Sequence, residues 1–443
     1  MADLPLIRAG RGSIFAYRHG RALGVDQYLR DVRRLAAQLP ARCYALNACA
    51  DRYAFAVAFG AALVRGQSSL LPPNHTPDLL AKLQASYPDQ YCLCDTDVRH
   101  PGLDTVVVPL ETPPDGASEA VPAIPESHVA AIVFTSGSTG APTEHFKRWG
   151  SLVRSALGEA ERLGFGAGAG WTLLGTVQPQ HMYGFESTVL IAMQGALALH
   201  AGRPFFPADV CAELEALPRP RALVTTPVHL AALLGEPAAP PAADFLLCAT
   251  APLAPQLAAQ AEARFAAPLH EIYGCTEAGQ LASRRTVKTP DWQPLPGVVL
   301  RKDAKGTWAS GGHIAGDVLL GDVIDVHADG GFRLHGRTSD LVNIAGKRTS
   351  LAHLNYHLNS IDGVRDGAFV MPDEQEAGVT RLIAFVVAPG LTRADVMKAL
   401  RSRIDAAFLP RPLMLVDALP RNETGKLPRV AIEDLIRVAT KAE

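Results

Sequence analysis

The chain has 443 residues, 48% of them hydrophobic, enough to bury a large core and to form two or three domains. Its 42 Lys and Arg against 44 Asp and Glu leave a formal net charge of −2, with no long run of one sign; this argues against nucleic acid or an anionic membrane surface as a partner. Seven scattered cysteines, apolar helical runs broken by Arg, Asp or Gln, and no long apolar stretch over residues 1–8 predict a cytoplasmic protein with reduced thiols and no membrane span.

Residues 13–18 read as a strand, 25–39 as a helix with Tyr28, Leu29, Val32, Leu35 and Leu39 at helical spacing, and 43–46 as a short apolar strand. A small-residue helix over 53–64, a strand over 68–71 before Pro72-Pro73 and a helix over 76–86 continue the alternation. That alternation predicts a doubly wound α/β layer. The stretch 111–127, rich in Pro, Ser and acidic residues, reads as a surface loop. A buried strand over 129–134 follows it, and 171–177, 222–225 and 245–249 read as parallel-type strands, each leading into a helical pattern. Residues 297–334 are Gly-rich with short alternating strands, as in a small β-layer. After Gly336-Arg337 come a helix over 352–360, strands over 367–371 and 382–387, and a helix over 393–406. The expected architecture is α/β: a large N-terminal domain, 1–336, of doubly wound mixed sheets plus a small β-layer, then a small C-terminal α+β domain, 337–443.

Five motifs carry chemistry. Thr135-Ser136-Gly137-Ser138-Thr139-Gly140 directly follows the strand over 129–134. Its glycines let the backbone turn tightly, so that consecutive N–H groups and small hydroxyls can ring phosphate oxygens. It is not a Walker loop, because no Gly-Lys-Ser/Thr follows. Tyr273-Gly274-Cys275-Thr276-Glu277 offers an aromatic face for adenine, a hydroxyl for phosphate and a carboxylate for Mg²⁺, which prefers oxygen ligands. Gly321-Asp322 places a carboxylate where it can accept two ribose hydroxyls. Gly336-Arg337-Thr338-Ser339-Asp340, continued to Gly346-Lys347-Arg348, sits at the domain boundary, and Pro420 to Lys426 supplies a lysine on a Gly-containing loop. Each alone is weak, and a solvated loop or strand end explains any one of them.

In this order the five motifs resemble the adenylate-forming enzyme superfamily, which includes acyl-CoA synthetases, aryl-acid ligases, carrier-protein-loading adenylation domains and firefly luciferase. The resemblance runs from about residue 129 to 429. It implies an ATP-dependent acid–thiol ligase that makes an acyl-adenylate and pyrophosphate and then acylates a thiol. It implies that Thr135 to Gly140 cradle the ATP phosphates and that Thr250-Ala251-Pro252 pack against adenine. Tyr273, Gly274 and Thr276 would contact the nucleotide, Glu277 would hold Mg²⁺, and Asp322 and Arg337 would grip the ribose side. Lys426, Glu277, Arg348 and His181 are the implied catalytic residues. Gln180-His181-Met182-Tyr183-Gly184-Phe185 resembles the acyl-pocket motif, so that His181, Tyr183, Gly184 and Cys275 are expected at the acid. The resemblance also implies that the small domain is mobile and rotates about Ser339 between the two half-reactions.

The chain departs from the family pattern in places. Pro142-Thr143-Glu144 stands where Pro-Lys-Gly is usual, with Lys147 and Arg148 as candidate replacements for the missing lysine. Ala249-Thr250 replaces a Gly-Gly, and Leu320-Gly321 replaces the residue pattern before the ribose aspartate. The trimmed N-terminal end and altered phosphate loop are similar to the aryl-polyene and xanthomonadin-type ligases, which load an aryl acid onto the phosphopantetheine of an acyl carrier protein. Free CoA is the alternative acceptor, with Lys347 and Arg348 available for its phosphate. A non-catalytic nucleotide-binding paralogue is the alternative from another class; retention of Glu277, Asp322, Arg337 and Lys426 argues against it.

Overall fold

The computed structural model describes residues 2–96, 102–110, 120–136, 142–166, 170–337, 340–344, 347–371, 382–422 and 427–440. Helix Val25–Gln38 is amphipathic: Tyr28, Leu29, Val32 and Leu35 share one face and are fully buried. Helix Arg52–Val64 is apolar all round and correspondingly buried all round, which makes it a core element rather than a cover. Asp51 caps it by accepting from the Ala54 N–H at 2.9 Å.

The alternation of the first hundred residues builds a six-stranded sheet in the order Pro142–Arg148, Val129–Ser136, Ser68–Leu71, Tyr44–Asn47, Gln90–Cys94, Thr105–Val107. All neighbours are parallel except the edge strand Pro142–Arg148, which runs antiparallel to Val129–Ser136 with Thr143 opposite Thr135. Gln90–Cys94 is a strand that the sequence reading passes over. All five of its residues are buried, and Cys92 and Cys94 share the face that packs on Leu46, Leu70, Ile132 and Phe134. The close cysteine pair is thus a product of strand alternation. No disulfide joins cysteines among the described residues.

A second sheet has nine strands, and its six central members, Ile14–Arg18, Ala198–His200, Thr172–Gly175, Arg221–Thr225, Phe245–Cys248 and Leu269–Cys275, are parallel. Their carboxyl ends therefore open on one side, the side where open α/β sheets bind ligands. Arg52 joins the layers. Its guanidinium is fully buried and donates to the carbonyls of Gly175 (3.0 Å), Val177 (2.8 Å), His200 (2.9 Å) and Gly202 (2.7 Å). Burial lowers its pKa to about 10.

The Gly-rich region forms the expected small β-layer: Val298–Asp303, Gly306–Gly311 and Val318–Leu320, then the hairpin Asp322–Val326 with Phe332–Arg337. Beyond it, helix Leu351–Asn359, capped by Ser350 (His353 N–H, 3.1 Å), packs with the three-stranded sheet Asp366–Val370, Ile383–Val387, Leu413–Leu415. The helix expected over 393–406 is shorter, Arg393–Arg401, with a separate 3₁₀ turn at Ala406–Phe408. Asp405 caps that turn by accepting from the Ala407 N–H.

Candidate functional site

Among the described residues, Thr135, Thr250 and the Tyr273–Glu277 motif lie at the carboxyl ends of parallel strands, and Asp322 is bonded to Tyr273. Leu269–Cys275 and Gly279–Arg284 form a hairpin, so Thr276, Glu277 and Ala278 make its turn. The ladder shifts register between Tyr273 and Gly274, and a Cβ on Gly274 would overlap the Gly279 carbonyl. Glycine is required there by close backbone approach. Tyr273 packs against Trp292 and Phe332, with ring centroids 5.6 Å from each, and its hydroxyl donates to Asp322 Oδ2 at 2.7 Å. Two motifs 49 positions apart are joined by that bond. Burial raises the Asp322 carboxyl pKa, while the Tyr273 hydroxyl and Arg337 pull it back. Arg337 is the cross-strand partner of Asp322 and is exposed.

Thr250-Ala251-Pro252 follows Phe245–Cys248. Thr250 has φ +85°, a left-handed conformation that a β-branched residue rarely adopts. Glu271 holds the segment beyond it by accepting from the Leu253 N–H at 3.3 Å, and is itself paired with Arg284 at 2.6 Å. Thr135, one residue before the end of its strand, has Oγ1 at 3.0 Å from His145 Nε2. Ser136 is the last residue of that strand; Gly137, Ser138, Thr139 and Gly140 lie outside the described residues, as do Ser339 and Lys426. Arg348 lies on the hairpin strand Lys347–Ser350, opposite Asn343.

The altered phosphate-loop sequence has a structural consequence. Lys147 and Arg148, the candidate replacements for the missing lysine, both have carbonyl partners outside that loop. Arg148 donates to the Ser127 carbonyl at 2.8 Å. Lys147 is buried, and its ammonium donates to the carbonyls of Thr276 and of Glu277, the latter at 3.1 Å. Burial lowers its pKa, and Glu186 opposes that fall. Lys147 thus clamps the turn whose side chains are the candidate nucleotide and metal ligands.

His181 precedes a helical stretch over Met182–Gly195 that widens to a π-helix at Phe185–Leu190. The π-helix carries Glu186, which accepts from Ser155 Oγ at 2.9 Å. Burial pushes the Glu186 carboxyl up to about 7 and that of neighbouring Glu159 up to about 8. Tyr183 is buried among Val177, Val224 and Leu247, and its hydroxyl donates to the Leu247 carbonyl at 3.0 Å. Gly184 presses on the Gln178 carbonyl so closely that a Cβ would overlap it. Cys275 is half-buried, and burial pushes its thiol up to about 12. Lys147, Glu186, Ser155, His313 and Glu277 surround a cavity of about 140 Å³. Sequence reasoning missed the group of Glu186, Ser155 and His313. Their one local signal is Glu186, an ionisable residue in an otherwise apolar helical pattern.

A family model for AMP-binding enzymes matches residues 35–304, more than half of the chain, and one for the AMP-binding enzyme C-terminal domain matches residues 357–426. A 4-coumarate–CoA ligase of Rhodobacter capsulatus is 28% identical over 305 residues, 68% of this chain and 75% of that protein. A salicylyl-CoA synthase / salicylate adenylyltransferase of a Streptomyces species is 28% identical over 241 residues, and the match spans 43% of that relative's length. Among solved structures, ATP-bound MatB from Rhodopseudomonas palustris superposes with a TM-score of 0.81 at 17% identity over 96% of each chain. The o-succinylbenzoate CoA synthetase of Bacillus subtilis, in complex with its acyl-adenylate intermediate, gives 0.82 at 17% identity over 98% of this chain and 99% of that one. These structures share the mixed α/β fold. By the family models and the order of its motifs, the chain belongs to the AMP-binding enzyme family, the adenylate-forming acid–thiol ligases.

Proposed function

We propose that the protein uses ATP to convert a small carboxylic acid, an aryl acid, to its acyl-adenylate and then acylates a phosphopantetheine thiol. A carboxylate oxygen attacks the α-phosphorus and the bond to pyrophosphate breaks. A thiol then attacks the acyl carbon, loses its proton to solvent, and AMP leaves. The observation that carries the reading is the convergence of separate motifs: Tyr273 bound to Asp322, and Lys147 bound to the Thr276–Glu277 turn, at the open ends of parallel strands.

In this reading Thr135 to Gly140 cradle phosphates, Thr250 to Pro252 border the base, and Asp322 with Arg337 takes the ribose. Glu277 is one exposed carboxylate, which suits Mg²⁺ arriving with ATP, since that ion keeps phosphate oxygens and waters as its other ligands. Mg²⁺ there would offset charge on the phosphates. His181 stands at the start of the acid-side helix. Residues 337–443 form the mobile small domain, turning about Ser339 to deliver Lys426 to the α-phosphate for the first step and Arg348 for the second. The acceptor is the phosphopantetheine of an acyl carrier protein, a reading supported by the Thr143-Glu144 departure. Free CoA is the second reading, favoured by the relatives named as CoA ligases.

The test is acid-dependent exchange of labelled pyrophosphate into ATP across aryl and aliphatic acids, with Lys426→Ala alongside. Exchange appears with aryl acids and falls by about 10²–10³ in the variant, the usual loss when one preorganised charge is removed. Exchange with no acid, while ATP still binds, overturns the reading. Thioester formation with CoA and with a phosphopantetheinylated carrier protein, measured side by side, separates the two acceptors.

A further inference from the structure

The hairpin turn at residues 276–278 is held from three sides by side chains of other elements. Cys275 pairs with Gly279, so only Thr276, Glu277 and Ala278 lie in the loop, and Gly279 closes it at φ +80°. Lys147, buried near the end of the strand Pro142–Arg148, donates to the Thr276 and Glu277 carbonyls. His313 is buried too, and its Nε2 meets the Ala278 carbonyl at 3.1 Å, so that nitrogen carries the proton. Glu186 Oε1 stands 3.0 Å from the point that a Cβ on Gly279 would occupy, and Glu186 takes a hydrogen bond from the Gln280 backbone. Each carbonyl of the loop thus has a side-chain partner. Pinning those peptide planes fixes where the side chains leave the backbone, and the one that leaves into solvent is Glu277.

We propose that Lys147, backed by Glu186, is a positioning residue for Mg²⁺-bound ATP: by fixing the Thr276 and Glu277 peptide planes it aims the Glu277 carboxylate at the metal. The inference rests on the reading of Glu277 as the Mg²⁺ carboxylate; the clamp itself rests on geometry. Burial of a charge is costly, and a methionine would fill the same space without that cost. What methionine cannot do is hold two carbonyls at once. Glu186 and Glu277 supply the attraction that keeps the Lys147 ammonium charged there. Small misplacements of a ligating group cost far more than the contact that prevents them, which is how a residue that touches no substrate acts on binding.

The experiment is calorimetric titration of the full chain with ATP, once in excess Mg²⁺ and once in EDTA, with no acid present. Wild type is compared with Lys147→Met, Glu277→Gln and the double variant. Lys147→Met weakens Mg²⁺-bound ATP by about tenfold or more, the size of one lost hydrogen-bonded charge. It weakens metal-free ATP by no more than about threefold. The double variant binds Mg²⁺-bound ATP within about twofold of the weaker single variant, because both act through one carboxylate. Lys147→Gln gives the same metal-selective pattern in smaller measure and stands in if the methionine variant does not fold. Wild-type affinity in the Lys147 variants, equal losses with and without Mg²⁺, or additive losses in the double variant overturn the proposal. Glu277→Gln without effect sinks the metal assignment and this inference together. No arm needs the acid, so a metal-selective loss in a protein that shows no pyrophosphate exchange sinks adenylation alone.

Discussion

Lys147 shows how one side chain can define a site. A lysine in an edge strand is usually solvated, yet here burial is compensated by two carbonyls and by Glu186. Replacing it by Met keeps the apolar stem and removes the charge. Lys147→Met is therefore expected to lose about 1–3 kcal/mol, because two carbonyls and the buried Glu186 lose a partner. Urea unfolding would show a lower midpoint with unchanged slope; an unchanged midpoint would mean that the clamp contributes nothing. The same residue marks a limit of reading from sequence. The Gly-containing motifs are legible because turn chemistry is local, and Asp322 was placed on the same grounds. Lys147, Glu186 and His313 come from three elements far apart in the chain, and no local period announces that they meet.

At the scale of elements, burial decided which strands were legible. Ser68–Leu71 matches its expected range, being short, apolar and followed by two prolines. Gln90–Cys94 has no counterpart among the expected strands, because a wholly buried strand lacks polar alternation. The apolar pattern runs on to 406, but the helix ends at Arg401 and Asp405 caps a separate 3₁₀ turn by accepting from the Ala407 N–H. The hairpin Leu269–Cys275 with Gly279–Arg284 depends on a glycine in the same local way. In Gly274→Ala a Cβ must displace the Gly279 backbone, so the variant is expected to lose about 1–3 kcal/mol. Exchange activity should fall with it, since Thr276 and Glu277 stand in the adjoining turn. A variant with wild-type thermal stability and exchange would contradict the close approach.

For the molecule as a whole, two buried carboxyls set a pH dependence of stability. Burial raises Glu159 from 4.5 to about 8 and Glu186 from 4.5 to about 7. Between their unfolded and folded values the native state holds protons that the unfolded chain has released. Their contribution is thus full at low pH and is lost as pH rises through 7 to 8. Histidines whose pKa is lowered by burial, such as His313 at about 4, act in the opposite sense, but only below 6.5. The clean window is therefore pH 6.5 to 8.5, where wild-type stability should fall and Glu159→Gln should fall less. Equal pH dependence of the two in urea unfolding would contradict the raised pKa of the buried Glu159. Among the described residues no helix is long and apolar enough to cross a membrane.

The central claim is that a carboxylate oxygen of the acid attacks the α-phosphorus of ATP. An acid labelled with heavy oxygen in its carboxylate, turned over with ATP and a phosphopantetheine thiol, tests it most directly. The account predicts one labelled oxygen in AMP and none in pyrophosphate, because the bridging oxygen stays with phosphorus when the thiol takes the acyl group. Label in inorganic phosphate with formation of ADP, or unlabelled AMP, would contradict it.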